Sequence, residues 1–134
     1  IDNKKLNLID ESYNSNPLSL KSAIFNFDKI KIDIGKKYLL LGDMLELGKH
    51  SKKLHLSIAK IINNTKLDKV FVIGSSVLFT YNSISKKKKG RILINKSQII
   101  DLIKNDLNNN DYLMVKASNA TGLNKIVSEI KGLK

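Results

Sequence analysis

The sequence predicts an α/β domain of three layers, a mainly parallel sheet flanked by helices on both faces. Short apolar runs of strand length alternate with amphipathic stretches of helical period. Glycine, asparagine or proline punctuates most of the junctions. The 134 residues, 42% of them hydrophobic, suffice for one packed core and not for two ordinary domains. Strands alternating with helices over this length imply right-handed crossovers between parallel strands, and leave open how the first and last strands pair.

In chain order, Leu6 to Ile9 reads as a short strand. After a polar segment, Pro17 suits a first helical position because its φ is already helical, with Asn16 as N-cap. That helix is expected to reach about Phe27, with Leu18, Ala23, Ile24 and Phe27 inward. Tyr38 to Leu41 reads as a buried strand ending in Gly42-Asp43. Ser51 then caps a helix with Leu54, Ile58, Ile61 and Ile62 on one face. Val70 to Ile73 is the next strand, Ser75 to Tyr81 a short helix, and the run Lys86 to Lys89 with Gly90 a loop tip. Ile92 to Ile94 is expected to be a strand, and Ser97 to Leu107 a helix capped by Ser97 with Ile99, Ile100 and Ile103 inward. Tyr112 to Val115 is the last strand, and a helix over Thr121 to Ile130 closes the chain.

Composition narrows the chemistry. The chain contains no cysteine, which excludes disulfides and thiolate metal sites. His50 and His55 are five apart, off the spacing of two ligands on a helix, and read as non-metal residues. No metal site is expected. No apolar run approaches the roughly 18–20 residues of a membrane span, and no signal-peptide pattern opens the chain, so a cytoplasmic protein is expected. The net charge of +12 invites a nucleic-acid reading. Yet all the basic residues except Arg91 are lysine, whereas bidentate grip on phosphate and bases favours arginine. Dispersed lysine reads more simply as solvated surface.

In parallel sheets ligands collect outside the carboxyl ends of the strands, so the strand-to-helix loops are the candidate sites. The segment 10–17 gathers two carboxylates, a phenol, amides and hydroxyls; it suits a polar ligand such as a ribose or base, and equally suits plain turn chemistry. The segment 42–50 carries Met44, Leu45 and Leu47 where a polar connection is expected. There Asp43 and Glu46 either orient an ammonium group or cap the following helix. Residues 74–76 form a third loop. In the fourth, 116–122, Lys116 emerges near a helix N-terminus where an anion can bind, or is an ordinary lysine beside a Thr121 cap. Neither GxxxxGK[ST] nor GxGxxG occurs, so any nucleotide phosphates must be held by another domain. No triad or cysteine nucleophile stands out, and no catalytic residue is assigned.

At these loops the sequence resembles the Mur ligase family. Ile9-Asp10-Glu11-Ser12-Tyr13-Asn14-Ser15-Asn16-Pro17-Leu18-Ser19 is similar to I-D-D-S-Y-N-A-N-P-x-S. Leu41-Gly42-Asp43-Met44-Leu45-Glu46-Leu47-Gly48, followed by Ser51 and His55, is similar to L-G-D-M-x-E-L-G with its spaced serine and histidine. Val115-Lys116-Ala117-Ser118-Asn119 is a weaker match to V-K-G-S-R or V-K-G-S-N. Glu11 departs from the usual Asp, and Ala117 from a glycine whose conformational freedom an alanine would lack.

The resemblance implies a Rossmann-like C-terminal domain spanning 1–134, one of three. A UDP-substrate domain and a central ATPase domain, carrying the P-loop and Mg2+, would lie outside this chain. It further implies an ATP-dependent amide ligase of peptidoglycan precursor synthesis, adding D-alanyl-D-alanine to UDP-N-acetylmuramoyl-tripeptide. By position, Asp10, Glu11, Tyr13, Asn14 and Asn16 would line the nucleotide. Asp43, Glu46, Lys116, Ser118 and Asn119 would face the dipeptide and an acyl phosphate. A free-standing nucleotide or small-ligand module and a basic nucleic-acid-binding domain are the alternatives.

Overall fold

The computed structural model describes residues 5–11, 16–118 and 121–132. Five parallel strands form one sheet: β1 (Asn7–Glu11), β2 (Lys37–Gly42), β3 (Lys69–Ile73), β4 (Lys89–Leu93) and β5 (Tyr112–Lys116). Their spatial order is β1-β5-β2-β3-β4, so the first and last strands pair with each other, in parallel. Among the described residues five α-helices accompany them: α1 (Pro17–Lys29), α2 (Ser51–Asn63), α3 (Leu78–Ser83), α4 (Lys96–Asp101) and α5 (Leu123–Gly132).

The central strand β2 is buried along its whole length, which is why Tyr38 to Leu41 reads as one apolar run rather than an alternation. Its side chains still alternate between faces. Leu39 and Leu41 join Val70, Val72 and Met114 in a core with Leu20, Ile24 and Phe27 of α1 and Ile58 and Ile62 of α2. Tyr38 and Leu40 face the other way, with Phe71, Leu113 and Val115, toward Ile99 of α4 and Leu123 and Val127 of α5. From β1 through β4 the chain advances in one direction across the sheet, with α1, α2 and α3 on the first face. It then doubles back from β4 to β5 and changes face, as right-handed crossovers require.

Several elements differ from the sequence reading. Strand β1 continues through Asp10 and Glu11, which are therefore ladder residues and not part of a loop. Leu18 is 74% exposed, because the inward row of α1 is Leu20, Ile24 and Phe27 and Leu18 lies about 200° from Leu20. In α2 the buried row includes His55 and Ala59 in place of Leu54 and Ile61. Strand β4 begins at Lys89, earlier than expected, because Gly90 lets the backbone lie against the Phe71 ring.

The lysine run is likewise not a loop tip. Residues Lys86–Lys88 form a 3-10 turn, and buried Lys88 donates from Nζ to the carbonyls of Thr65 (2.7 Å) and Leu67 (2.8 Å). Burial, then neighbouring Lys87, holds its pKa below the ordinary lysine value. The cap of α4 is Asn95, whose Oδ1 accepts from Gln98 N at 3.1 Å, with Ser97 Oγ donating to the same oxygen. Past α4 the helix loosens into a π turn over Leu102–Asp106, closed by Leu107 N donating to Leu102 O. Arg91 of β4 forks onto the Asp106 carboxylate there, at 3.0 and 3.1 Å.

Candidate functional site

Because β5 lies between β1 and β2, the three motif segments reach the carboxyl edge of the sheet side by side. The chain leaves β1 and β2 toward one face and β5 toward the other, which opens crevices at that edge beside β5. Register then sets the neighbours: Glu11 is opposite Lys116 across β1 and β5, and Leu41 is opposite Lys116 across β2 and β5.

Lys116 ends the strand almost entirely enclosed, its side chain 4% exposed, with Nζ 3.7 Å from Oε2 of Glu11. A cation withdrawn from water needs such a counter-charge. Asp10, one residue earlier on β1, points to the opposite face of the strand. Asn16 is the N-cap of α1: Oδ1 accepts from Ser19 N at 2.9 Å while Ser19 Oγ accepts from Asn16 N, a reciprocal capping box. Tyr13, Asn14 and Asn119 lie outside the described residues.

The segment after β2 is held from three directions. Ser118 Oγ accepts from Leu45 N at 2.9 Å, and Ser118 N donates to Asp43 O at 3.1 Å, so the segment after β5 is bonded to the segment after β2. His55, 1% exposed within α2, accepts from Met44 N at Nε2 (3.2 Å). Its Nδ1 lies 2.8 Å from Ser51 O, an atom that can only accept, which assigns the proton to Nδ1 and leaves Nε2 as acceptor. The Asp43 carboxylate turns toward the segment after β3, accepting from Val77 N (2.7 Å) and Ser75 N (3.3 Å). It fills the space a side chain at Gly74 would need, and Gly74 adopts φ +130°. Met44 is buried, whereas Glu46 is exposed at the loop's tip in the left-handed region, φ 63°. A non-glycine residue held there marks a backbone constrained by its surroundings.

Ala117 is fully buried and is absent from the positive-φ positions, so alanine is not strained by its backbone. Room for its methyl comes from Gly42, where an added Cβ would come within 2.7 Å of Ala117 Cβ and 2.8 Å of Leu123 Cδ1.

The His55 clamp, the two Ser118 bonds and the Glu11–Lys116 pair were not anticipated from sequence. Of these, only the four-residue spacing of Ser51 and His55 carried a local signal. The others depend on which strands are neighbours.

Comparison with known proteins agrees with this arrangement. Residues 1–119 match the family model described as Mur ligase, glutamate ligase domain, and the chain belongs to the Mur ligase family. It is 32% identical over 128 residues to the UDP-N-acetylmuramoyl-tripeptide–D-alanyl-D-alanine ligase of Bacillus subtilis, covering 93% of this chain and 28% of that protein. Identity to the ligase of the same name from Buchnera aphidicola subsp. Baizongia pistaciae is 35%, over 96% of this chain and 27% of that one. The chain thus spans just over a quarter of the length of these relatives. Among solved structures, the MurF ligase of Thermotoga maritima in complex with ADP superposes with a TM-score of 0.77 at 24% identity, over 93% of this chain and 28% of that one. A MurF of Acinetobacter baumannii gives 0.76 at 21%, over 96% and 29%. At those identities the likeness is one of fold.

Proposed function

We propose that this chain is the C-terminal domain of an ATP-dependent ligase that joins D-alanyl-D-alanine to UDP-N-acetylmuramoyl-tripeptide in the cytoplasm, and that it is inactive alone. The observation that carries the reading is the convergence of the three family-like segments at the carboxyl ends of β1, β5 and β2. In the reaction, the tripeptide carboxylate takes the γ-phosphoryl group of ATP and ADP departs. The dipeptide amine then attacks the acyl carbon, and phosphate leaves.

Asp10, Glu11, Tyr13, Asn14 and Asn16 are assigned to the nucleotide side of the cleft. Lys116, Ser118 and Asn119 are assigned to the acyl phosphate and dipeptide, where a lysine offsets developing negative charge. Because the Asp43 carboxylate is bonded to backbone amides, it serves by fixing the loop. Exposed Glu46 is then the carboxylate available to the incoming ammonium. Among the described residues no group of three or more His, Asp or Glu gathers to hold a metal. Mg2+ is assigned to the ATPase domain that the family resemblance implies, where it would neutralise phosphate charge.

The test is amide formation by the full-length protein, which the isolated chain should not support. Activity of this chain alone, or none from the full-length protein, would overturn the proposal. In the full-length enzyme, Tyr13→Ala or Asn14→Ala should raise the KM for ATP more than that for the dipeptide, and Asp43→Ala the reverse. Equal effects on both would remove the division of roles.

A further inference from the structure

The sequence places Glu11 on the nucleotide side and Lys116 on the side of the dipeptide and acyl phosphate, yet the structure sets the two charges together. They are register partners on adjacent parallel strands, so both side chains leave the sheet on the same face. The ammonium is 4% exposed and the carboxylate 48%, with 3.7 Å between them. That asymmetry gives the two groups unequal roles. Enclosed at the end of an inner strand, the Lys116 ammonium has little water around it, and the neighbouring carboxylate offsets that lost solvation. Glu11 is half in solvent and has a second carboxylate oxygen to offer a ligand.

We infer that Glu11 is a positioning residue for Lys116, so that the segments assigned to nucleotide and to dipeptide act as one unit through this ion pair. The inference rests on the ligase reading for what the unit does, but the pair itself is read from the geometry. A ligand that draws the Glu11 carboxylate toward itself loosens Lys116, and an anion that engages Lys116 frees Glu11. Each site therefore responds to occupation of the other through the ion pair that bridges β1 and β5.

The experiment is a double-mutant cycle of E11Q and K116M in the full-length protein, with kinetics for both substrates and thermal melting of all four proteins. Each single variant should raise the dipeptide KM by about tenfold or more, and the double variant no further than the worse single one. E11D, which keeps the charge, should recover most of the loss. A purely structural pair would shift melting temperatures and leave the dipeptide KM unmoved. That result, or an E11Q effect confined to the KM for ATP and equal in the K116M background, overturns the inference. Additive melting shifts would show that the pair does not form and would overturn it whatever the activity. A wild-type protein without ligase activity would instead sink the ligase reading, leaving the pair to be judged by the melting cycle.

Discussion

The methyl of Ala117, just past β5, and the missing side chain of Gly42 at the end of β2 occupy one space. Gly42→Ala should therefore destabilise the domain by about 1–3 kcal/mol through overpacking. Ala117→Gly added to it should return part of that loss in urea unfolding, though not all, because Leu123 Cδ1 also crowds the site. Independent, additive effects would mean that the two positions do not share the space. His55 acts at the same scale. With its imidazole spanning Ser51 O and Met44 N, His55→Ala leaves a buried amide without its acceptor, at a cost of about 1–3 kcal/mol. Hydrogen exchange at Met44 should accelerate more than exchange in β2, and unchanged exchange there would show the clamp to be idle.

Among the elements, the helix over 96–106 illustrates how local chemistry decides a boundary that periodicity leaves open. Ser97 and Asn95 are both cap-forming residue types, but the extended backbone and the bond to Gln98 N belong to Asn95. Asn95→Ala should cost about 1 kcal/mol, and Ser97→Ala clearly less, in denaturant melts. Ile99 and Ile103 of its apolar row were readable from spacing, whereas buried Leu102, in place of Ile100, and the π turn at its end were not. Lys89 and Gly90 show the converse case. A lysine-glycine pair reads as a turn, and it becomes strand because the Phe71 ring lies beside Gly90 and the Lys88 ammonium is absorbed by two carbonyls.

For the whole molecule, two buried groups shape alkaline stability with opposite sign. Lys88 has a folded pKa below its ordinary 10.5, so the unfolded chain binds more protons between those values and stability rises with pH through that window. Tyr38 is raised above its ordinary 10.0, by burial first and then by Asp111, Asp68 and Asp106. The fold therefore retains the phenol's proton longer, and the associated stability, full below pH 10, is lost as pH rises through the raised value. Urea midpoints of Lys88→Met should lack the wild-type gain on the approach to pH 10.5, and those of Tyr38→Phe should fall less steeply above pH 10. Identical pH profiles would exclude both contributions.

The α/β class, the number of strands and their succession along the chain are legible in the residues alone, as is the expectation that the strand-to-helix segments meet a ligand. These follow from hydrophobic period and from residue types such as Pro17 and Asn16, which act over one turn of chain. That β5 inserts between β1 and β2, and so which segments touch, is settled by the packed fold. From that insertion come the Glu11–Lys116 pair, the Ser118 bonds to the loop after β2 and the fit of Ala117 against Gly42. Residues from 73 to more than a hundred positions apart meet there through a spatial strand order that no local pattern encodes. The physical reason is that a parallel pair is set by the packing of its crossover helices against the rest of the core.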